Sequence, residues 1–320
     1  MGVTGEACFP ALRPDSHAPH RLHGQDRLWS QTNCSVDLWI AVIAAMNRPP
    51  EAMLSFTVLQ DFEGDHFTFF KVPPEDLEAL YGVSVQELAV YDAIADHAAV
   101  QLARGRLSLI EVDSYFLPDT RAVSYRLHHG KTTIGVNRLD LATRRLEYFH
   151  NGGYFGLDGD DFEGLFAGYG HDDTPFLPYA EFVKFGPSPL GELREIATAL
   201  LRRHLALRPR ANPIGGFQAV FAEQAERVAA REPAFFHKYA FNTLRQLGAN
   251  FELLADHLIW LDGVSSDASA LALRIAEVAK ATQFQLARAC ARKRFDTVAN
   301  TLTPALEAYD ALFDRLDRRG

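Results

Sequence analysis

The chain has 320 residues, a hydrophobic fraction of 48% and a formal net charge of −9, values of a globular protein long enough for two domains. The acidic balance argues against nucleic acid or an anionic membrane surface as the main partner. Its three cysteines lie far apart, so they predict neither a disulfide framework nor a metal cluster. The first residues lack the apolar core of a signal peptide, and no apolar run reaches the length of a membrane span. We therefore expect a soluble cytoplasmic protein.

Residues 1–27 are rich in Pro, His, Arg and Gly and show no periodicity, which predicts an extended arm, partly disordered or draped over the next domain. Its histidines His17, His20 and His23 resemble a metal-binding tract. No further ligand residues accompany them in the sequence, and a solvated arm explains the composition better.

The segment 31–46 predicts a buried central helix. Small polar residues that can cap a helix come first, and the residues after them are apolar nearly all the way round. Such a helix must be covered by the rest of the domain, and Pro49 ends it. Cys34 lies in the first turn, where unpaired N–H groups and the positive end of the helix dipole favour the reactive thiolate. A buried structural thiol is the alternative interpretation.

Short elements follow up to the start of the sheet. The pattern predicts a helix over 51–59, an alternating strand over 61–70, a helix beginning at Pro73, a short strand over 85–90 and an amphipathic helix over 92–104.

From residue 107 onward the pattern is that of an antiparallel sheet. Residues 107–113 are strongly apolar and lead into a loop, and two further strands are predicted over 131–137 and 145–150. The short connection between the last two predicts an antiparallel hairpin, and residues 151–154 then leave the second strand in a tight turn. Helices first and an antiparallel sheet afterwards indicate the α+β class.

The composition changes after residues 187–189, where two prolines flank a serine. We expect an arm over 1–27, an α+β domain with a buried central helix on an antiparallel sheet over 28–187, and an all-α helical bundle over 188–320. Helical periodicity in the last region covers 190–207, 214–231, 234–261, 268–295 and 304–318.

A cysteine nucleophile needs a base within hydrogen-bond reach and a third group that orients the base. Papain-like enzymes take the base from the beginning of a strand and the third group from the end of the neighbouring strand. His129 immediately precedes the strand over 131–137, and the partner strand of the hairpin ends at His150 and Asn151. The sequence therefore predicts the triad Cys34, His129 and Asn151, with His150 as the alternative third member.

Several alternatives stay open for the individual roles. His128 is adjacent to His129 and points the other way if the strand alternates. The Cys34 backbone N–H is the first candidate donor for an oxyanion hole, and the side chain of Gln31 or Asn33 is a candidate for the second. Either of these two side chains is equally well explained as a helix cap.

The order of these motifs resembles that of a known family. The run Trp29–Trp39, the segment 69–71 and the run Tyr148–Tyr154 resemble a family of uncharacterised bacterial proteins within the papain-like butirosin-biosynthesis acyltransferase superfamily. The resemblance implies a papain-like fold and a Cys/His/Asp triad that moves an acyl group from a carrier-protein thioester to an amine. Members of the family are often encoded beside carrier proteins and amino acid:carrier-protein ligases. The departure is the third triad member, because His150 and Asn151 occupy the position where the superfamily has Asp.

Other polar residues are candidates for substrate binding. Asp113, Tyr115 and Asp119 lie on the loop before the His129 strand, although Asp113 is also explained as a turn cap. Lys131 is predicted on the strand face of His129, where it can hold a carboxylate, a phosphopantetheine phosphate or a surface ion-pair partner. In the helical region, the candidates are Asn242 and Arg245, from a polar stripe that solvent exposure also explains.

These features favour an acyl or aminoacyl transferase whose donor is an acyl or aminoacyl carrier protein and whose acceptor is a small-molecule amine. The expected cofactor set is empty, apart from the phosphopantetheine that a carrier protein brings. Two alternatives remain: a papain-like cysteine peptidase, amidase or thioesterase, and a non-catalytic module that binds carrier proteins. The net charge of −9 opposes docking to acidic carriers unless local basic patches take part.

Overall fold

The computed structural model describes residues 6–121, 123–167, 178–187 and 189–318. The chain forms two compact units, which we call the sheet unit and the helical unit. The sheet unit comprises 1–24, 33–49 and 77–189, and the helical unit comprises 25–32, 50–76 and 190–320. The predicted helical region therefore supplies most of the helical unit, and two short N-terminal segments complete it. No helix among the described residues is long and apolar enough to cross a membrane.

The sheet unit contains a six-stranded sheet in the order β1-β6-β2-β3-β4-β5, in which each pair of neighbours is antiparallel. The α+β class predicted from the sequence is thereby confirmed. The strands are β1 (Val83–Glu87), β2 (Leu107–Asp113), β3 (Lys131–Asp140), β4 (Arg145–His150), β5 (Gly153–Asp158) and β6 (Ala180–Phe185), and the helices before and between them are α1 (Cys34–Ala45), α2 (Pro74–Tyr81), α3 (Ile94–Ala103) and α4 (Gly159–Phe166).

One face of the sheet is covered by α3 and α4. Alternate residues of the strands point to this face because successive side chains of a strand alternate. Ile110 and Val112 of β2 and Ile134 of β3 belong to the apolar core there, as does Tyr148 of β4. The same core contains Ile94, Ala98 and Leu102 of α3 and Phe162 and Leu165 of α4.

Helix α1 lies on the opposite face. It contacts β3, β4 and β5, yet none of its buried residues belongs to the core that α3 and α4 share with the sheet. Its apolar side chains are almost fully enclosed, as the all-round apolar pattern predicts. The Asn33 side chain caps its first turn by accepting hydrogen bonds from the N–H groups of Ser35 and Val36 at 3.1 and 3.0 Å.

Part of the N-terminal segment packs on the sheet unit, which agrees with the prediction of an arm draped over the next domain. His23 is buried with Nε2 3.4 Å from Asp37 of α1, and a Cβ on Gly152 would lie 2.3 Å from the His23 ring. Position 152 therefore requires glycine. His17 packs near Tyr154, and the His20 ring accepts a hydrogen bond from a backbone N–H, so these histidines have separate structural roles.

The helical unit is built around one apolar core, to which Trp29, Phe217 and Phe251 contribute. Between two of its helices lies a π-helical turn, Phe241–Arg245. Its helices are a 3-10 helix (Pro50–Leu59), α5 (Leu193–Leu207), α6 (Pro213–Ala229), α7 (Pro233–Ala240), α8 (Gln246–Asp262), α9 (Asp267–Arg292), a short 3-10 helix (Ala299–Leu302) and α10 (Thr303–Asp317).

Two local predictions were wrong. The alternating residues 61–70 form no strand, since only an isolated bridge joins Phe62 and Phe67, and both rings pack on Phe217 of the helical unit. Aromatic packing there overrides the period-two pattern. The second error is that strands β5 and β6 were missed, because residues 153 and 154 were assigned to the turn after β4 and the segment 180–185 was given no element. The segment 51–59 is helical as predicted, but of the 3-10 type.

Candidate functional site

Cys34 is the first residue of α1 and is half-buried. As the first helical residue, its N–H lies before the intrahelical hydrogen bonds begin. The helix dipole favours an anion at this end. Burial raises the pKa of Cys8 to about 12 and raises the pKa of Cys290, which disfavours the thiolate form of both. Cys34 is therefore the cysteine best placed to react.

His129 is paired with the carboxylate of Asp113 and not with the predicted Asn151 amide. Its Nδ1 lies 2.5 Å from Asp113 Oδ2, and its ring stacks on Tyr115 with 4.5 Å between centroids. Because a carboxylate only accepts hydrogen bonds, Nδ1 carries a proton, and in the neutral imidazole the lone pair is then on Nε2. Within the part of the chain that the structure describes, no residue forms a hydrogen bond with that Nε2.

Asp113 is itself held in place by the backbone. Its Oδ1 accepts hydrogen bonds from the N–H groups of Tyr115 and Gly130, both at 3.0 Å. Burial opposes its ionisation, but the hydrogen bonds from His129 and these two N–H groups outweigh burial and lower the pKa of Asp113. Asp113 thus acts as a turn cap, which was one of its two predicted roles, and also contacts the imidazole.

Strand alternation places the His129–Asp113 pair on the face of the sheet that carries α1. Val112 and Ile110 of β2 point to the α3/α4 core, so Asp113 points the other way. Asp113 is level with Lys131 in the β2–β3 register, and His129 lies two residues before Lys131. The nucleophile candidate and the base candidate therefore share one face of the sheet.

The expectation that Asn151 lies beside His129 was wrong. Gly135 pairs with Phe149 across β3 and β4, so Asn151 follows the strand end at the level of Thr133, several residues from His129. Asn151 occupies the left-handed region with φ 47° and forms the two-residue turn between His150 and Gly153. The start of β3 is flanked by the end of β2 instead, which is why Asp113 reaches His129.

The alternative third member, His150, lies on the other face. It points to the same side as Tyr148, towards the α3/α4 core. Its Nδ1 contacts Asp119, and its Nε2 lies 2.8 Å from the Thr132 hydroxyl. Asp119 also accepts a hydrogen bond from the Tyr148 hydroxyl, and the His150 and Asp119 side chains are almost fully buried. His150 and Asp119 thus form a structural network, separate from His129.

The remaining predicted residues have these positions. Lys131 forms an ion pair with Glu111 at 2.6 Å on the exposed strand surface. Asn33 uses its side-chain oxygen as the cap of α1. Gln31 and Arg245 are in the helical unit, where the guanidinium donates to the backbone and side-chain oxygens of Gln31 at 2.9 and 3.1 Å. Asn242 is exposed and donates to a backbone carbonyl of its own helix.

Sequence reasoning missed the partnership of His129 with Asp113, although a signal for it existed. In an antiparallel pair the end of one strand is level with the beginning of the next, so a carboxylate ending β2 faces a histidine that precedes β3. Asp113 closes the apolar run 107–113 and His129 precedes the next run, which is that pattern.

The helical unit contains a buried serine, histidine and aspartate cluster that sequence reasoning also missed. Ser55 Oγ lies 3.0 Å from His204 Nδ1, and His204 Nε2 lies 3.2 Å from Asp76 Oδ2. All three residues are at most 2% exposed. Substrate cannot reach a hydroxyl enclosed in this way, so we assign the cluster no catalytic role.

Two family models cover almost the whole described chain. The DUF1839 N-terminal domain matches residues 18–185, and the DUF1839 C-terminal domain matches residues 191–318. The chain belongs to the DUF1839 family. No curated protein matches this DUF1839 chain. The boundary between the two DUF1839 domains lies near Leu190, where the last segment of the helical unit begins.

Proposed function

We propose that this protein is a cysteine acyltransferase in which Cys34 is the nucleophile, His129 the proton carrier and Asp113 the orienting carboxylate. The fold is proposed to be papain-like, with the nucleophile at the start of the central helix. The donor is proposed to be an acyl or aminoacyl thioester of a carrier protein, and the acceptor an amine, as the resemblance to the butirosin-biosynthesis acyltransferases implies. The superfamily pattern of Cys, His and Asp favours Asp113 over Asn151 as the third member.

The chemistry has two balanced steps. His129 Nε2 takes the proton of the Cys34 thiol, the resulting thiolate attacks the thioester carbonyl, and the carrier thiolate leaves and takes that proton from His129. The amine then attacks the acyl-cysteine, His129 Nε2 takes the proton from the nitrogen, and the Cys34 thiolate leaves. One thioester and one amine give one amide and one thiol.

The observation that carries this proposal is the state of His129. Its Nδ1 is bound to a carboxylate that two backbone N–H groups fix, so the tautomer with the lone pair on Nε2 is favoured. Its side chain is 74% exposed and lies on the face of the sheet that carries α1. An imidazole that is oriented on one side and accessible on the other is what a general base requires.

The same exposure supports a second candidate function. Transfer to an amine requires that water be kept from the acyl-enzyme, whereas hydrolysis does not. An exposed His129 can equally activate a water molecule, which gives a cysteine hydrolase acting on thioesters or amides. The two functions share Cys34, His129 and Asp113 and differ only in the acceptor.

Mass spectrometry of the intact protein after incubation with an aminoacyl-loaded carrier protein tests the proposal. We expect a mass increase on Cys34 equal to the acyl group, and none on a Cys34→Ser variant. Added amines should discharge the adduct as amides if the protein is a transferase, while discharge as the free acid identifies a hydrolase. No adduct with any carrier thioester, together with cleavage of amide or peptide substrates, would contradict the carrier-protein donor. Iodoacetamide labelling of Cys34 no faster than that of Cys290 would contradict the nucleophile.

A matched pair of variants tests the third member. Asp113→Asn removes the charge that holds His129 Nδ1–H, whereas Asn151→Asp adds a carboxylate at the position where the superfamily has one. We expect Asp113→Asn to slow acylation of Cys34 by roughly 10²-fold or more, since the analogous change in a serine triad costs more than this. Asn151→Asp should leave the rate unchanged. A large rate increase from Asn151→Asp would instead assign the role to the β4–β5 turn.

A further inference from the structure

A cavity of about 320 Å³ in the helical unit gathers positive charge. Arg245 and Lys280 line it, with His237 beside them, and none of the described residues that line it carries a carboxylate. The cavity volume is at the lower end of the range for small-molecule sites.

Each of the two cations is held over an aromatic ring. The Lys280 ammonium lies 4.3 Å from the centroid of the Trp29 ring, and the Arg245 guanidinium lies 4.5 Å from that of Phe241. Cation–π contacts of this kind position a cation without neutralising it. Arg245 is fixed further by its two hydrogen bonds to Gln31.

The walls of the cavity are rigid where these rings attach. The Trp29 indole N–H donates to the carbonyl of Ala276 at 3.2 Å, and a Cβ on Gly248 would lie 2.3 Å from the indole nitrogen. Glycine at 248 therefore lets the indole lie against α8. Phe241 and Arg245 are the two ends of the π-helical turn, an irregularity that is frequent at functional sites.

The surroundings of Lys280 disfavour its charged form. Burial lowers the pKa of Lys280, and the nearby positive charge of Arg245 lowers that pKa further. The neighbouring carboxylate of Glu252 opposes this shift, but it already accepts the N–H groups of Leu28 and Trp29 and faces Arg27. A bound anion would relieve the repulsion between the two cations.

We infer that this cavity binds a small organic oxyanion, a phosphate or a carboxylate, between Lys280 and Arg245. The Gln283 side chain supplies a further polar group to the wall, because its buried Oε1 has no hydrogen-bond partner among the described residues. The binding site does not depend on the chemistry proposed for Cys34.

Isothermal titration of the full chain with phenyl phosphate, benzoate and phenol tests the inference. We expect saturable binding of at least one anion and none of phenol, and the tighter anion identifies the phosphate or the carboxylate as the natural group. Lys280→Gln should raise the Kd for that anion by roughly tenfold or more. The matched control is Arg288→Gln, which removes one exposed positive charge from the same helix, α9, outside this cavity.

Three results would overturn the inference. They are no saturable binding of either anion, binding of phenol as tight as that of the anions, and a loss of anion affinity in Arg288→Gln equal to that in Lys280→Gln. Circular dichroism establishes that each variant is folded. Arg245→Lys provides a second test at the other cation, since it keeps the charge but loses the planar donor geometry. It should also lower the affinity for the same anion. If neither Lys280→Gln nor Arg245→Lys changes this affinity, the anion binds elsewhere.

Discussion

Two histidine–aspartate pairs lie on opposite faces of the same sheet. In both, the imidazole Nδ1 contacts a carboxylate oxygen, His129 with Asp113 and His150 with Asp119. The His129 and Asp113 side chains are 74% and 30% exposed, whereas those of His150 and Asp119 are 2% and 4% exposed. The two histidines also differ at Nε2, because that of His150 is hydrogen-bonded to the Thr132 hydroxyl. The same contact thus leaves a usable base on one face and completes a buried network on the other.

The largest expected effect breaks the exposed pair. His129→Gln keeps a hydrogen-bond donor for Asp113 but cannot accept the catalytic proton, so acylation of Cys34 should slow by roughly 10²–10⁴-fold. Single-turnover mass spectrometry of the acyl-enzyme measures the rate. The control is His150→Gln, whose rate per folded molecule should equal that of the native protein. If the acylation rate per folded molecule falls equally in both variants, the exposed pair is not the catalytic one and the buried pair is not purely structural.

The second effect breaks the buried pair. His150→Leu leaves the Asp119 carboxylate enclosed with only the Tyr148 hydroxyl as a partner, and should reduce the free energy of unfolding by about 3–5 kcal/mol. Urea denaturation followed by circular dichroism measures the change. The double variant His150→Leu with Asp119→Leu should recover part of the loss, because no uncompensated charge remains. A double variant that is less stable than the single one would show that the network contributes net stability.

The third prediction extends the comparison to a buried histidine whose Nδ1 contacts a backbone carbonyl instead of a carboxylate. His257 is fully buried in the helical unit, its Nδ1 lies 2.7 Å from the Glu51 carbonyl, and burial lowers the pKa of His257 to about 4. The unfolded chain binds this proton at a higher pH than the folded chain does. Above about pH 6.5 the protonation of His257 therefore does not reduce the free energy of unfolding. As the pH drops to 4, it reduces the free energy of unfolding by roughly 3 kcal/mol.

Unfolding by urea at pH 7 and pH 4 measures this dependence. In His257→Gln, which keeps a donor for the Glu51 carbonyl but does not titrate, the difference between the two pH values should be smaller by that amount. An equal pH dependence in the native protein and in His257→Gln would assign the acid sensitivity to other groups.

The smallest effect concerns the ion pair next to the exposed histidine. Lys131 and Glu111 form an ion pair on the strand surface, where the Lys131 side chain is 73% exposed. Water and salt screen such a pair, so Lys131→Gln should change the free energy of unfolding by less than about 1 kcal/mol. If Lys131 instead binds substrate, the same variant should raise the KM for the carrier thioester without changing kcat. Steady-state kinetics with graded carrier concentrations separates these outcomes.

The sequence predicted the elements that periodicity and caps define. Strand β2 has the predicted bounds, and α1 begins at Cys34 behind the Asn33 cap, because a burial pattern and a capping residue are both local. The partner of His129 is not a local property. It depends on which strand lies beside the start of β3, and the sequence favoured β4, whose end carries Asn151, over β2, whose end carries Asp113.

The helical unit shows the same limit of sequence reasoning. Its helices were predicted from their period, yet residues 25–27 were assigned to the N-terminal arm, and residues 28–32 and 50–76 to the preceding domain. Trp29 and Phe67 belong to the core of the helical unit through packing with residues far along the chain, such as Phe217. The anion cavity was equally hidden, because Lys280 and Trp29 meet across a long sequence separation.

The interleaving of the two units has a consequence for synthesis on the ribosome. Trp29 donates to the carbonyl of Ala276, 247 residues later, so this core cannot close until α9 has emerged. Until then the early apolar segments of the helical unit are exposed on the nascent chain, where they can aggregate or bind a chaperone. The many distant contacts also slow folding once the chain is released. We therefore expect a larger fraction of the recombinant protein to reach its native state when chaperones are supplied during translation.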